Sequence, residues 1–221
     1  MIHKITLIHS IHSVIDRLMN EFSNSLPEIN IFNILDESLL PEFKAAGGLN
    51  NVAYQKVYRM VQSATESGSE LILFSCSSIS PIACKLEPFF SIPILPVDEK
   101  LFREVVKRSN NLVIFGTAIS ALKASKQGLE KANMIEKRNT KFETIVCSMD
   151  ANKDSEIDLY KNLADDIEKK YTQLDSVDTI LLAQLSMIPV IEYLSTEIKN
   201  KITPTIPYMI EHVKEQLGKI N

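Results

Sequence analysis

Tryptophan is absent from this 221-residue sequence, and glycine and cysteine are scarce, with six and three residues respectively. Neither of the glycine-rich phosphate loops that characterise dinucleotide-binding and P-loop proteins occurs. Cys76, Cys84 and Cys147 form an odd, widely spaced set, which does not make a disulfide framework and fits a reducing compartment. We therefore expect a cytoplasmic protein.

A net positive charge and long apolar runs are lacking as well. The formal net charge of −4 offers no basic face for nucleic acid. Apolar runs such as residues 179–183 are far shorter than the roughly 20 residues of a membrane-spanning helix, and residues 1–5 lack a signal peptide's long apolar core. The chain is predicted to be globular, with neither nucleic-acid nor membrane partners, and long enough for one large domain or two small ones.

Short apolar runs alternate with segments of helical periodicity along the whole chain. This alternation predicts the α/β class with parallel sheets. The predicted strands are residues 4–9, 28–35, 71–74, 91–97, 111–116, 142–147 and 178–183. Ser13 is predicted to cap the first helix, and residues 187–199 are predicted to be helical. Residues 36–51 contain Pro41 and the pair Gly47-Gly48, which predicts a long loop and a candidate lid.

The most informative single stretch is residues 70–80, Glu-Leu-Ile-Leu-Phe-Ser-Cys-Ser-Ser-Ile-Ser, with Pro81 after it. The pattern predicts a buried strand, a turn of small residues and a helix that begins near the proline. Backbone N–H groups at such a helix start favour an anion and lower the pKa of a thiol. Cys76 is therefore placed like a thiolate nucleophile or base, although a small buried side chain at a strand end is the alternative.

A second copy of this pattern favours chemistry at Cys76. Residues 184–189, Gln-Leu-Ser-Met-Ile-Pro, follow an apolar strand 108 positions later and align Gln184 with Cys76. Thr117 likewise follows Ser10 at an offset of 107. Because these turns recur in order at near-constant spacing, we expect two similar α/β halves that bind a ligand at the carboxyl ends of their strands.

Two such halves suit proton transfer at a carbon next to a carboxylate. The hydroxyls of Ser10 and Thr117 and the backbone N–H groups of the Cys76 and Gln184 turns would hold the carboxylate and stabilise the enediolate formed on deprotonation. His9, next to Ser10, is a further hydrogen-bond donor candidate.

The Ser75-Cys76-Ser77-Ser78 turn, the hydroxyl residues at the two early turns and the duplicated halves resemble the aspartate/glutamate/hydantoin racemase superfamily, which also contains arylmalonate decarboxylase and maleate isomerase. The resemblance covers essentially the whole chain. It implies two pseudo-symmetric Rossmann-like subdomains, residues 1–97 with 206–221 and residues 98–205, with the active site in a cleft between them. It also implies a small carboxylate substrate, no metal, no pyridoxal phosphate or other cofactor, and commonly a homodimer.

By this resemblance Cys76 is the first catalytic cysteine. The predicted substrate-binding residues are Ser10, His9, Ser77, Ser78, Thr117, Ala118 and Ser186. Amino-acid racemases of the family carry a second cysteine in a Gly-Cys-Thr turn, where this chain has Gln184. A glutamine amide exchanges no proton near neutral pH, so Gln184 either donates a hydrogen bond to the substrate or bonds local backbone.

Several functions remain open on these residues. The first is a racemase- or isomerase-like enzyme that uses Cys76. A one-cysteine decarboxylase with protonation by Cys76, or a maleate-isomerase-like enzyme whose thiol adds to a double bond, would use the same turn. The last alternative is a non-catalytic protein that binds small carboxylates at the same turn.

The remaining candidates are expected to be structural. His9 and His12 lack a third ligand at zinc spacing, so no metal site is predicted. Cys84 and Cys147 are predicted to pack in the interior. Asp98 is predicted to cap the following helix.

Overall fold

The computed structural model describes residues 3–46, 48–149 and 155–220, apart from the side chain of Lys44. Within these ranges no helix is both long and apolar enough to cross a membrane. The chain divides into two compact units, Met1–Lys100 with Thr205–Asn221, and Leu101–Pro204. The breaks that the resemblance implies, at residues 97/98 and 205/206, lie within three residues of these.

Strands and helices alternate from end to end, which confirms the predicted α/β class. The strands are β1 Lys4–His9, β2 Asn30–Leu35, β3 Leu71–Phe74, β4 Ile94–Leu95, β5 Asn111–Gly116, β6 Lys141–Val146 and β7 Thr179–Leu182. The α-helices are α1 Ile15–Ser25, α2 Leu39–Ala46, α3 Asn51–Glu66, α4 Ser80–Leu86, α5 Glu99–Arg108, α6 Ile119–Ile135, α7 Glu156–Tyr171, α8 Thr196–Lys201 and α9 Thr205–Ile220.

The first unit is built on a parallel sheet of order β2-β1-β3-β4. One face, which includes Ile8, Ile72 and Phe74, packs on the apolar sides of α2, α3 and α4. The alternate residues Leu71 and Leu73 are also fully buried, on the side of the sheet where α9 lies against β3 and α1 against α9. A sheet covered on both faces requires continuous apolar strands, which explains the run of residues 71–74.

The second unit repeats this arrangement with a parallel sheet of order β6-β5-β7. Val113, Phe115 and Ile180 belong to a core that β5 and β7 share with α7 and α8. Gly128 of α6 lies against the ring of Phe102 in α5, where an added Cβ would be 2.5 Å from Cε2. The two helices approach so closely because this position has no side chain.

The register shows how closely the two units correspond. Ile72 pairs with Ile94 in the first unit, and an isolated parallel bridge pairs Ile180 with Ile202 in the second, 108 residues later at both positions. β1, β2 and β3 therefore have the same topological places as β5, β6 and β7. Each unit also contains a buried pair of hydroxyls, at positions that do not correspond: Thr6 with Ser69 at 2.6 Å, and Ser109 with Thr179 at 2.7 Å.

Three local predictions are wrong. Residues 36–51 are not a free loop, because they contain α2, which packs on α3 and is tied to it by an ion pair of 2.7 Å between Glu42 and Lys56. Residues 187–199 do not form one α-helix, because a 3-10 helix, Leu185–Tyr193, precedes α8. Ser13 lies inside a short 3-10 turn, and the side chain at the N-cap of α1, Val14, makes no capping bond.

Candidate functional site

The Cys76 turn lies at the carboxyl end of β3. The N–H of Ser75 donates to the Ile8 carbonyl at 3.0 Å and continues the ladder between β1 and β3 for one residue beyond the strand. Cys76 is extended, and residues Ser77–Ile79 then form a 3-10 turn that leads into α4, with Pro81 in its first turn. The predicted order of strand, turn and helix is confirmed, and it brings Cys76 next to the end of β1.

The thiol of Cys76 is surrounded by hydrogen-bond donors. The Ser10 hydroxyl and the backbone N–H groups of Ser78 and Ile79 each stabilise the thiolate, but burial opposes them and has the larger effect, so the pKa of Cys76 is raised. The predicted lowering of this pKa by the helix start is therefore wrong for the free protein. Cys76 is a protonated thiol at neutral pH, with donors already arranged for its anion.

Ser10 contributes a hydroxyl with unused hydrogen-bonding capacity. The side chain is 1% exposed, and its oxygen has no nitrogen or oxygen partner among the residues with described placement. Its interaction with the Cys76 sulfur is the weak kind that a thiol makes. A buried hydroxyl that makes so few hydrogen bonds is unusual, because leaving a buried polar group unpaired lowers the free energy of unfolding by about 1–3 kcal/mol. It has the properties expected of a group that pairs with a ligand.

His9 supports the turn from beneath. The ring is fully buried, with Nδ1 2.7 Å from Ser75 Oγ and Nε2 2.8 Å from Asn33 Oδ1. Burial lowers the pKa of His9, so the ring is neutral, and the Asn33 carbonyl oxygen places the proton on Nε2. Both ring nitrogens are therefore engaged inside the protein, and the predicted direct bond from His9 to a substrate stays a prediction.

Ser77, on the other side of Cys76, is bonded to Asp98. Both residues are 6% exposed, and the Ser77 hydroxyl hydrogen-bonds to the Asp98 carboxyl group. Burial outweighs this bond and raises the pKa of Asp98 to about 7. The predicted cap of the next helix is thus also a neighbour of the candidate nucleophile. The two serines that flank Cys76 each contact a buried titratable side chain, His9 at Ser75 and Asp98 at Ser77.

The corresponding turn of the second unit is organised by Gln184. Its Oε1 accepts hydrogen bonds from the Thr117 N–H at 2.8 Å, the Thr117 hydroxyl at 3.1 Å and the Ala118 N–H at 3.1 Å. The contact between Thr117 and Gln184 corresponds to the contact between Ser10 and Cys76 in the first unit. Thr117 follows β5 as Ser10 follows β1, and Gln184 follows β7 as Cys76 follows β3. Gly116 precedes the turn, and an added Cβ there would be 2.8 Å from the Leu122 side chain.

This geometry fixes the direction of the Gln184 amide. Three donors mark the bonded atom as the carbonyl oxygen, so the NH2 group points away from the turn and presents two N–H donors. The predicted bonding of Gln184 to local backbone is confirmed, and its donation of a hydrogen bond to a substrate stays a prediction. The predicted carboxylate contacts of Thr117 and Ala118 compete with Gln184 for the same N–H groups.

Ser186 lies in the second turn, and the remaining candidates lie apart from both turns. Ser186 accepts a bond of 3.2 Å from the Tyr160 hydroxyl through its backbone carbonyl. Cys147 is 2% exposed and burial raises its pKa to about 11, which confirms the predicted packing role. Cys84 is exposed on α4, so the same prediction for that residue is wrong. His12 is also exposed and contacts Glu37, away from the buried His9.

No group of three metal-ligating side chains occurs in residues 3–46, 48–149 and 155–220. Two surface grooves of about 340 and 540 Å³ lie in the second unit. They are lined by Asn111, Lys141 and Val177, at or before the amino-terminal ends of the strands, and by Tyr171 and Lys201. They are therefore at the sheet edge opposite to the Gln184 turn.

Sequence reasoning assigned Asp98 to a helix cap, and it did not identify Asn33 as a neighbour of the site. For Asp98 the sequence indicates only a carboxylate before a helix, and for Asn33 it indicates no role. Their partners, Ser77 and His9, are distant in sequence, so no local pattern predicts either contact.

Known proteins resemble this chain in structure and not in sequence. No protein-family model and no curated protein sequence matches it. A glutamate racemase isoform from Bacillus anthracis superposes with a TM-score of 0.78 and 16% identity, over 99% of this chain and 83% of its own.

Two other racemases match over 98% of this chain. Allantoin racemase from Klebsiella pneumoniae gives a TM-score of 0.67 with 12% identity over 88% of its own length. Aspartate racemase from Picrophilus torridus gives 0.57 with 13% identity over 94% of its own length. At these identities the similarity establishes the fold, and this chain has the fold of the glutamate, allantoin and aspartate racemases.

Proposed function

We propose that this chain is a cofactor-independent racemase- or isomerase-like enzyme that acts on a small carboxylate through Cys76, as a divergent member of the racemase superfamily that it resembles. The observation that carries the proposal is the environment of the Cys76 sulfur, with the Ser10 hydroxyl and the N–H groups of Ser78 and Ile79 directed at it. The racemase fold supports the choice of substrate class.

The proposed step is proton transfer at the carbon next to the carboxylate. The Cys76 thiolate takes the proton, and the electron pair of the C–H bond moves into the carboxylate to form an enediolate. Hydroxyl and N–H donors of the turn, including the buried Ser10 hydroxyl, would hold the enediolate oxygens. Because burial raises the pKa of Cys76, the thiol must first release its proton to solvent, and the Ser10, Ser78 and Ile79 donors are the groups that favour the resulting thiolate.

Gln184 limits this chemistry to one thiol. Its amide neither takes nor gives a proton near neutral pH, and its oxygen is already engaged by Thr117 and Ala118. We infer that the NH2 group of Gln184 is a hydrogen-bond donor to the substrate. A single thiol returns a proton to the face from which it came, so the proposal predicts exchange of the carbon-bound proton without inversion.

The raised pKa of Cys76 favours a second candidate, a decarboxylase. In that reaction the substrate loses CO2, the electron pair remains as an enediolate, and the protonated Cys76 thiol donates its proton to the carbon. A thiol that is protonated before the reaction is the form this step needs.

Exchange of the α-proton in heavy water tests the first proposal. D- and L-aspartate and D- and L-glutamate would be followed by proton NMR with the wild type, Cys76→Ser and the matched control Cys84→Ser, whose cysteine is exposed on α4. We expect loss of the α-proton signal from one enantiomer, a decrease of at least a thousandfold with Cys76→Ser, and no change with Cys84→Ser.

Other outcomes separate the alternatives. Release of CO2 from a 2-substituted malonate, dependent on Cys76, would favour the decarboxylase. Binding of these carboxylates with neither exchange nor CO2 release would identify a binding protein. Interconversion of enantiomers at the rate of exchange would show a second acid–base group and overturn the role proposed for Gln184.

We also propose a cytoplasmic homodimer on the basis of the same resemblance. Sedimentation velocity of the purified chain tests the oligomeric state, and a monomer at micromolar concentration would contradict it.

A further inference from the structure

The bond between Ser77 and Asp98 has a consequence for ligand binding, because a serine hydroxyl has one proton to donate. While Asp98 is ionised, its carboxylate can only accept, so the Ser77 proton is directed at Asp98. Toward any other group Ser77 then offers only lone pairs. A carboxylate ligand at the Cys76 turn also offers only lone pairs, so the two oxygens cannot form a hydrogen bond.

Protonation of Asp98 reverses these roles. A neutral carboxyl group carries an O–H of its own, which can donate to the Ser77 oxygen and leave the Ser77 proton for a ligand. It also removes a negative charge one side chain away from the place where an anion would bind. Both effects strengthen the binding of an anion at the turn.

Among the residues whose positions the structure describes, the Ser77 hydroxyl is the group that favours the ionised form of Asp98. Lys100, two residues later, is directed to α9, where it pairs with Glu215 at 2.6 Å and Glu211 at 3.5 Å. Burial lowers the pKa of His212 in α9, against the opposing charges of Glu99 and Glu215. Burial is the larger influence on Asp98 and raises its pKa to about 7, against the lowering effect of the Ser77 bond.

The titratable groups on the Cys76 side do not supply a countercharge either. Cys76 is a neutral thiol because burial raises its pKa, and His9 is neutral because burial lowers its pKa. Asp98 is thus a buried carboxyl group whose proton responds to a charge placed near it.

We propose that Asp98 is a positioning residue whose protonation is coupled to ligand binding: a carboxylate binds at the turn of Cys76, Ser77 and Ser78 together with the uptake of one proton by Asp98, and Ser77 then donates to the ligand. The inference rests on the proposed function for the class of ligand. It adds that Asp98 controls whether the Ser77 hydroxyl can donate to the ligand, and that Asp98 takes up a proton when the ligand binds.

Acetate is a suitable probe because it stays ionised between pH 6 and 8. Its dissociation constant would be measured on the full chain by NMR, from the backbone amide signals of Ser77 and Ser78, at pH 6, 7 and 8. Since the pKa of Asp98 is about 7, coupling of one proton makes the dissociation constant of the wild type rise about fivefold from pH 7 to pH 8, with a smaller change below pH 7. Asp98→Asn is neutral throughout and is expected to bind equally at all three values.

Two controls make the result specific. Asp16→Asn removes an exposed carboxylate of α1 in the same unit and is expected to keep the wild-type profile. Ser77→Ala is expected to weaken acetate binding at pH 6, where Asp98 is mostly protonated. Calorimetry of the wild type in phosphate and in Tris measures proton uptake without any variant, and it should approach one proton per acetate at pH 8.

The proposal is overturned if acetate does not bind at pH 6, if the wild-type constant is flat from pH 6 to 8, if no proton is taken up, or if Asp98→Asn keeps the slope. Its failure is distinguishable from failure of the proposed function. Amino-acid exchange that depends on Cys76, with flat acetate binding, removes only the role of Asp98. Coupled acetate binding without exchange or CO2 release removes the enzyme and keeps the coupled site.

Discussion

Thr117 donates two hydrogen bonds to one atom, the amide oxygen of Gln184, from its backbone N–H at 2.8 Å and its hydroxyl at 3.1 Å. In the first unit the equivalent Ser10 hydroxyl contacts the Cys76 sulfur. One topological position thus supports a thiol in one unit and an amide in the other. Under the proposed function, this difference leaves acid–base chemistry to the Cys76 turn.

The variant Gln184→Glu separates the two ends of this side chain. One oxygen of the introduced carboxylate can accept the same three bonds, which lower the pKa of that carboxyl group, so its stabilising effect is present at neutral pH and is lost in acid. The other oxygen becomes an anion where the NH2 group was. At pH 7 we expect the free energy of unfolding of Gln184→Glu to lie within about 1 kcal/mol of the wild-type value. We expect the variant to bind carboxylates at least tenfold more weakly.

Gln184→Met is the matched control, since it has a similar shape and no acceptor. It leaves the Thr117 and Ala118 donors unpaired and should cost about 1–2 kcal/mol in the free energy of unfolding. Chemical denaturation of both variants, with acetate titrations, gives the comparison. Equal destabilisation by glutamate and methionine would show that the bonds to Oε1 contribute little.

Asp98 should make the stability of the protein depend on pH. Its pKa is about 7 in the folded chain and near 3.8 when unfolded, so the folded state binds the proton more tightly. The stability associated with this group is fully present below about pH 4, decreases as pH rises through 7, and is then constant. The difference of about three units between the folded and unfolded pKa of Asp98 corresponds to a loss of about 4 kcal/mol in the free energy of unfolding.

The variant Asp98→Asn isolates this effect from other carboxylates. Its free energy of unfolding minus that of the wild type should increase by a few kcal/mol between pH 4 and pH 8. Urea denaturation at each pH measures the difference. A constant difference across this range would mean that Asp98 titrates normally in the folded protein.

Local patterns predicted three strands to the residue because a strand buried on both faces needs a continuous apolar run, but the strand predicted at residues 91–97 is only Ile94–Leu95. Residues 4–9, 71–74 and 111–116 have the predicted bounds. The pattern failed at α2, where Pro41 and the two glycines suggested a loop. Pro41 lies in the first turn of α2, where a missing N–H breaks no helical bond.

The site was predictable to the extent that it is local or repeated in sequence. The alignment of Cys76 with Gln184 and of Ser10 with Thr117 agrees with the strand register of the two units. The bonds from Ser77 to Asp98 and from Asn33 to His9 depend on how separate strands and turns meet. The net pKa of Cys76 also depends on burial, which a turn motif does not specify.

The three thiols should differ in reactivity. Cys84 is exposed, Cys76 is partly buried with a raised pKa, and Cys147 is buried with a pKa of about 11. Because the thiolate is the reactive form, we expect iodoacetamide at pH 8 to modify Cys84 first, Cys76 at least tenfold more slowly, and Cys147 only on unfolding. Mass spectrometry of time points gives the order, and fastest labelling at Cys76 would show a thiolate in the free protein.

Gly128 should resist replacement by alanine although it lies inside a helix. Alanine favours a helix interior by up to about 1 kcal/mol relative to glycine, but its Cβ would be 2.5 Å from Cε2 of Phe102, whose ring is 6% exposed. Overpacking of this kind costs about 1–3 kcal/mol, so the net effect of Gly128→Ala should be destabilising.

Gly218→Ala in α9 is the control, because a Cβ there meets no atom within 4 Å. It should be neutral or stabilising by up to about 1 kcal/mol, since the propensity gain is opposed by no contact. Phe102→Leu should lessen the cost of Gly128→Ala in the double variant, because the smaller side chain leaves room for the methyl group. Thermal unfolding of the four variants provides the test, and equal effects at positions 128 and 218 would show that α5 and α6 do not pack as closely as described.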